Sequence, residues 1–187
     1  MEIISLNKIL NKIYNNAIHD SEIILDTEAA KNIPGFNINW VLMPAVGWNR
    51  KELVEYLLTD NNININFRGL SNGCTALFWV RGNPILKLFF NHKDIDVNIQ
   101  NMAGWTVLHY ACNMKSKERV KELLLDARVD TLIRNNDNDT AKDIAIKWGN
   151  CHNIVNILKR IGHTFLLRIP NNVLYMDIVR MIIERYV

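Results

Sequence analysis

The chain has 187 residues, of which 49% are hydrophobic and 22% charged, and a formal net charge of +3. That is long enough for one domain with a proper core and ordinary in composition for a globular protein. The charge is too small to argue for nucleic acid, and no stretch approaches the length needed to span a bilayer, so neither partner is expected. The charge is also unevenly spread. Residues 3–31 carry three lysines against Asp20, Glu22, Asp26 and Glu28, near −1, whereas residues 140–187 carry seven basic against three acidic residues, near +4. That basic end is expected to be a solvated face. Met1-Glu2-Ile3-Ile4 is not a basic leader followed by a long apolar run, so no secretory signal is expected. Cys74, Cys112 and Cys151 are odd in number and cannot all pair internally. Reduced thiols in a reducing, cytoplasmic compartment are the simpler expectation.

In chain order, Ile3, Ile4, Leu6, Ile9, Leu10, Ile13 and Tyr14 recur at three- and four-residue spacing. This predicts an amphipathic helix, the first of the helices over residues 3–31. Trp40-Val41-Leu42-Met43-Pro44-Ala45 follows. Then comes the stretch Lys51–Leu58, with a helical apolar stripe, running into Ile63-Asn64-Ile65-Asn66. A second segment opens with Gly73-Cys74-Thr75-Ala76-Leu77-Phe78, continues as Ile85-Leu86-Lys87-Leu88-Phe89-Phe90, and closes on Asp94-Ile95-Asp96-Val97-Asn98. A third opens with Gly104-Trp105-Thr106-Val107-Leu108-His109-Tyr110-Ala111-Cys112, continues through Arg119–Leu124, and closes on Arg128-Val129-Asp130-Thr131. A fourth opens with Thr140-Ala141-Lys142-Asp143-Ile144-Ala145, without the glycine, and ends on Ile154–Leu158 without the closing tail. The Asp/Asn-rich closings with alternating Ile or Val predict a turn running into an extended arm.

Both ends of these segments repeat: Gly73 to Gly104 is 31 residues and Thr106 to Thr140 is 34. The two spacings bracket the 33-residue period of an ankyrin array. Thr106-Val107-Leu108-His109-Tyr110-Ala111 resembles the T-P-L-H-x-A helix start of the ankyrin-repeat family. The resemblance implies an all-α solenoid of stacked helix-turn-helix repeats with extended hairpin-like loops. The repeats would cover residues 35–161, at about 35–67, 68–100, 101–134 and 135–161. Residues 1–34 would be a helical cap or decayed repeat, and 162–187 a cap or docking tail. The first repeat departs by lacking the threonine and histidine. The second is about three residues short around Gly82-Asn83-Pro84, which predicts a tightened helix–helix turn there.

Physics supports the same pattern independently. A helix pair of this size cannot bury its apolar faces alone. Thr106 at a helix start can accept a backbone N–H bond. Small Ala111 and Cys112 let helices approach closely, and Leu123 and Leu124 fill the interface with a neighbour. Gly149 falls where the first helix of the fourth repeat should end.

In the tail, Pro170 and Asn171-Asn172 predict a break before an apolar helix from Val173 to Ile183. Ile169-Pro170-x-x-Val173-Leu174 resembles the start of an F-box. Ankyrin arrays with F-box-like or SOCS-box tails occur in virus–host ubiquitin-ligase adaptors. Asp177 departs from that pattern, standing where an F-box has an aliphatic residue. The resemblance implies a ligase component as a second partner, through residues 163–187.

His109 and Cys112 share a helix face, the spacing of a Cys–His nucleophile or half a metal site. In the family pattern, however, they occupy the structural histidine and small core positions, and no third group or oxyanion motif accompanies them. Cys151-His152 has no zinc-type companions. Gly69, Gly73 and Gly82 are isolated turn glycines rather than a phosphate loop. No catalytic, cofactor or metal residue is expected. The ankyrin resemblance implies that the residue after the glycine and the residues closing each first helix face a concave binding surface. Those positions hold Trp105, and Trp48 and Trp148, with Asn113 and Met114 beside them and Met102 and Asn136 flanking. They are expected to form a discontinuous aromatic stripe. Trp40 and Trp79 are expected in the inter-repeat core. The expected function is a non-catalytic protein-interaction module using the concave face and loop tips; the alternative is a substrate-recruiting ligase adaptor, in host cytoplasm if the source is a virus or bacterium.

Overall fold

A computed structural model describes residues 2–147, 152–163 and 173–185, with side chains over 6–82, 84–147, 152–159 and 177–184. Gly149 and Pro170 lie outside the described residues. The described chain is helical, and its one β feature is an isolated antiparallel bridge, Arg134 to Thr140, closing a turn. Two compact units are present, Met1–Ile95 and Asp96–Val187.

In the first unit α1 (Glu2–Tyr14) and α2 (Asp20–Lys31) pair, as the spacing predicts, and α1 also packs on α3 (Asn39–Gly47) and α2 on α4 (Lys51–Leu58). Ile9, Ile13, Ile23, Val41, Leu42, Leu53, Leu57, Leu77 and Phe89 form the core. The helix pairs are joined by one guanidinium. Arg50 donates to the carbonyls of Ile13, Ile18 and Asn15 at 3.0, 2.8 and 2.5 Å and pairs with Asp20 at 3.3 Å. It thus supplies donors to carbonyls at the end of α1 and in the turn that follows it. The other Asp20 oxygen accepts the Leu53 amide at 3.2 Å, near the start of α4.

The second repeat corrects an expectation. Its shortfall falls in the first helix rather than in the turn. Seven residues separate Thr75 from Gly82, the N-cap of α5 (Asn83–Asn91), whereas ten separate Thr106 from Ser116, the N-cap of α7 (Lys117–Leu124). Only a single 3-10 turn, Ala76–Trp79, fits between them. Two local causes act together. Phe78 stands where the third repeat has His109, so Thr75 makes no side-chain cap. Pro84 stands in the first turn of α5, where proline is tolerated, and a helix begun at Thr75 could not run on through it. α3 and the 3-10 turn still pack together, as do α4 and α5.

Trp40 corrects another: it is 43% exposed rather than core. Val41, Leu42, Ala45 and Val46 define the buried face of α3, and at 100° per residue Trp40 and Gly47 fall opposite it.

In the second unit α6 (Val107–Asn113) packs on α7 and on α8 (Ala141–Lys147), and α9 (His152–His163) packs on α8, α7 and α10 (Val173–Arg185). Leu108, Ala111, Cys112, Leu123, Leu124, Ile144 and Ile157 are buried. The Asp/Asn-rich closings are explained by side chains accepting the amide two residues on. Asp60 and Asn64 do this, then His92 and Asp96, then Asp126 and Asp130, a pair per repeat four residues apart. The repeat starts are equally regular. Gly73 and Gly104 take φ of 69° and 75°, two residues before a threonine, and Asn138 takes 63° two residues before Thr140. Asparagine therefore replaces the missing glycine with the residue that next best tolerates this conformation.

Candidate protein-binding site

The loop before α6 is built on Asn101, whose carboxamide oxygen accepts the Ala103 and Trp105 amides at 3.0 and 2.9 Å. The loop 135–139 is latched against it. The Asn136 amide donates to the Ala103 carbonyl at 3.2 Å, and its side chain donates to the Met102 carbonyl at 3.0 Å. Gln100 ties the carbonyls of Gly104 and Arg134 together at 2.6 and 2.8 Å. The approach is close enough that a Cβ on Gly104 would stand 2.5 Å from the Asn136 side-chain oxygen. Glycine is required there by both space and φ.

This latch orients the expected site residues of the second unit. Met102 projects from the loop, 62% exposed, and Met114 at the end of α6 is 59% exposed. Trp105 is half-buried, its ring 6.3 Å from that of His109. Asn113 is half-buried, while Asn136 is exposed with its side-chain N–H engaged in the latch. Trp148 lies outside the described residues. Trp48 belongs to the first unit, 47% exposed and tilted at 49° against Tyr14 with centroids 5.5 Å apart. There it lines a groove of about 510 Å³ with Tyr14, Met43, Gly47, Trp79 and Arg81. Trp79 is thus half-buried at a groove rather than in the core, because the shortened helix ends on it. Local pattern pointed to none of Tyr14, Met43 or Arg81. Tyr14 reads as the last residue of an apolar stripe, and only the packing of α1 on α3 makes it a groove wall.

His109 and Cys112 are built into the fold. Thr106 and His109 form a reciprocal helix cap: the Thr106 amide donates to His109 Nδ1 at 3.2 Å, and the His109 amide to the Thr106 hydroxyl at 3.5 Å. Nδ1 therefore accepts, and Nε2–H donates to the Asp139 carbonyl at 3.0 Å. Cys112 is fully buried. Thr140 and Asp143 make the same cap at the start of α8. Among the described residues no group of three or more His, Cys, Asp or Glu could hold a metal ion, and no helix is long and apolar enough to cross a membrane.

Burial pushes the His109 pKa below its ordinary value, against the smaller opposing influence of Asp139. A histidine with a depressed folded pKa keeps its full contribution above its unfolded pKa of about 6.5 and loses it as pH falls through the folded value. Protonation would also remove the acceptor for the Thr106 amide. Urea midpoints of the wild type should therefore drop as the pH falls below about 6.5. His109→Gln should be less stable at neutral pH and show a flatter dependence over that window. An unchanged slope would contradict the cap assignment.

A family model described as ankyrin repeats, in three copies, matches residues 80–165. An ankyrin repeat protein of fowlpox virus (strain NVSL) is 33% identical over 132 residues, covering 67% of this chain and 38% of that protein. Alpha-latrotoxin-Lh1a of Latrodectus hasselti is 44% identical over 69 residues, 37% of this chain and 5% of the toxin. The chain thus spans well under half the length of either relative. Paired helices, threonine caps, latched loops and the matched stretch agree, and the chain belongs to the ankyrin-repeat family.

Proposed function

We propose that this chain is a non-catalytic module that binds a partner protein through its loop tips and first-helix ends, with Trp105, Met102, Asn113 and Met114 as contacts in the second unit and Trp48 in the first. The observation that carries this reading is the exposure of Met102, near Trp105 on a loop whose polar groups are largely engaged within the fold, and of Met114 at the end of α6. Exposed methionines and aromatics are enriched where proteins meet. Asn136 supports this surface by holding the loop. Trp148 completes the proposal by its sequence position. The fowlpox relative supports a host-cytoplasmic setting, which is part of the same proposal.

A ligase-docking role for residues 163–187 would need the apolar face of α10 to be available. Val179, Ile182 and Ile183 are instead buried and α10 packs on α9, which favours a cap.

The test is quantitative capture from host-cell lysate by the whole chain and by Trp105→Ala. Truncating an interface tryptophan should weaken the partner by about 2 kcal/mol or more, about thirtyfold, while the melting temperature holds. Equal capture by both proteins would sink the assignment.

A further inference from the structure

We propose that the groove lined by Tyr14, Trp48, Trp79 and Arg81 docks an extended, proline-containing peptide segment that carries a carboxylate side chain. This rests on reading the exposed aromatic surfaces as protein-binding and names the chemistry of the partner at one of them. Four features select that occupant.

First, the groove is small. About 510 Å³ lies in the range of sites that take a few side chains. Second, its walls are aromatic and apolar, the kind of surface on which polyproline-type segments lie with little loss of conformational freedom. Third, the Tyr14 and Trp48 rings meet at 49°, so that pair offers no parallel faces to sandwich a flat base. Fourth, charge decides between the two ligands that aromatic clusters commonly take. Three rings could cage an alkylammonium group. Arg81, however, is exposed at the groove and has no ion-pair partner among the described residues, and none of the described lining residues is acidic. A cation would be repelled there, whereas a carboxylate gains a guanidinium partner.

The floor of the groove offers a clean perturbation. Gly47 lies in α3 and lines the groove, and a Cβ built on it meets nothing within 4 Å. A larger residue can therefore fill the groove without displacing the core, and it replaces a poor helix former.

The experiment is fluorescence anisotropy of the whole chain with three labelled nonapeptides, of repeated Glu-Pro-Pro, Lys-Pro-Pro and Glu-Ala-Ala. Glu-Pro-Pro should bind at least about tenfold tighter than either of the others. Arg81→Ala should weaken it about five- to tenfold and reduce its salt dependence. Gly47→Leu should abolish binding with the melting temperature unchanged or raised. Equal or tighter binding of Lys-Pro-Pro, equal binding of Glu-Ala-Ala, wild-type affinity in both variants, or no binding of Glu-Pro-Pro at millimolar concentration would each overturn the proposal. Trp105 lies outside this unit, so the lysate test of Trp105→Ala and the peptide test of the groove succeed or fail separately.

Discussion

Arg50→Ala should destabilise the chain by about 3–5 kcal/mol, the range for breaking a buried ion pair by removing one partner. The Arg50 and Asp20 side chains are each only 11% exposed. Truncation leaves that carboxylate without its cation and the carbonyls of Ile13 and Ile18 without these donors. Arg50→Lys keeps the charge but cannot reproduce a planar fork serving several carbonyls at once, so it should recover only part of the loss. The contrast is Lys8→Ala. Lys8 pairs with Asp26 at 3.2 Å but is 62% exposed, and its removal should cost no more than about 1 kcal/mol. Urea unfolding of the three variants checks the order. A loss below about 1 kcal/mol for Arg50→Ala would mean that the N-terminal helices are not held by this cluster.

Leu124→Ala is the second large effect. Leu124 ends α7 at 2% exposure, beside fully buried Leu123, and α7 packs on both α6 and α9. Large-to-small changes at such positions cost about 2–5 kcal/mol, the spread reflecting how far the surroundings collapse. Leu124→Met keeps the volume and should cost less than about 1.5 kcal/mol. Equilibrium unfolding that showed less than about 0.5 kcal/mol for the alanine variant would refute the core assignment of the third repeat.

What was legible in the chain is what a few neighbouring residues decide among themselves. Thr106 and His109 are three apart and cap each other; Asp126 and Asp130 each accept an amide two residues on. Such motifs recur with the period, so both ends of each repeat could be read. The same locality explains why Asn138 could stand in for a glycine. What depended on distant partners was not legible. The lost first helix of the second repeat needed both the absence of a histidine at 78 and the demand of Pro84 to be weighed together. Trp40 looked like core because tryptophan often is, although its helical phase sets it outward. Arg50 reaches carbonyls over thirty residues away, and Tyr14 meets Trp48 only through the packing of α1 on α3. Among the candidate contacts, Met102 and Trp105 followed from the repeat frame; the engagement of Asn136 in the loop latch did not.

The central claim, that loop tips and first-helix ends carry binding, is tested most directly by amide hydrogen exchange of the whole chain, alone and saturated with its captured partner. Slowed exchange on binding should concentrate in residues 101–106 and 113–116, with little change along α7. Protection confined to α7 and α9, with residues 101–106 and 113–116 exchanging as in the protein alone, would contradict it.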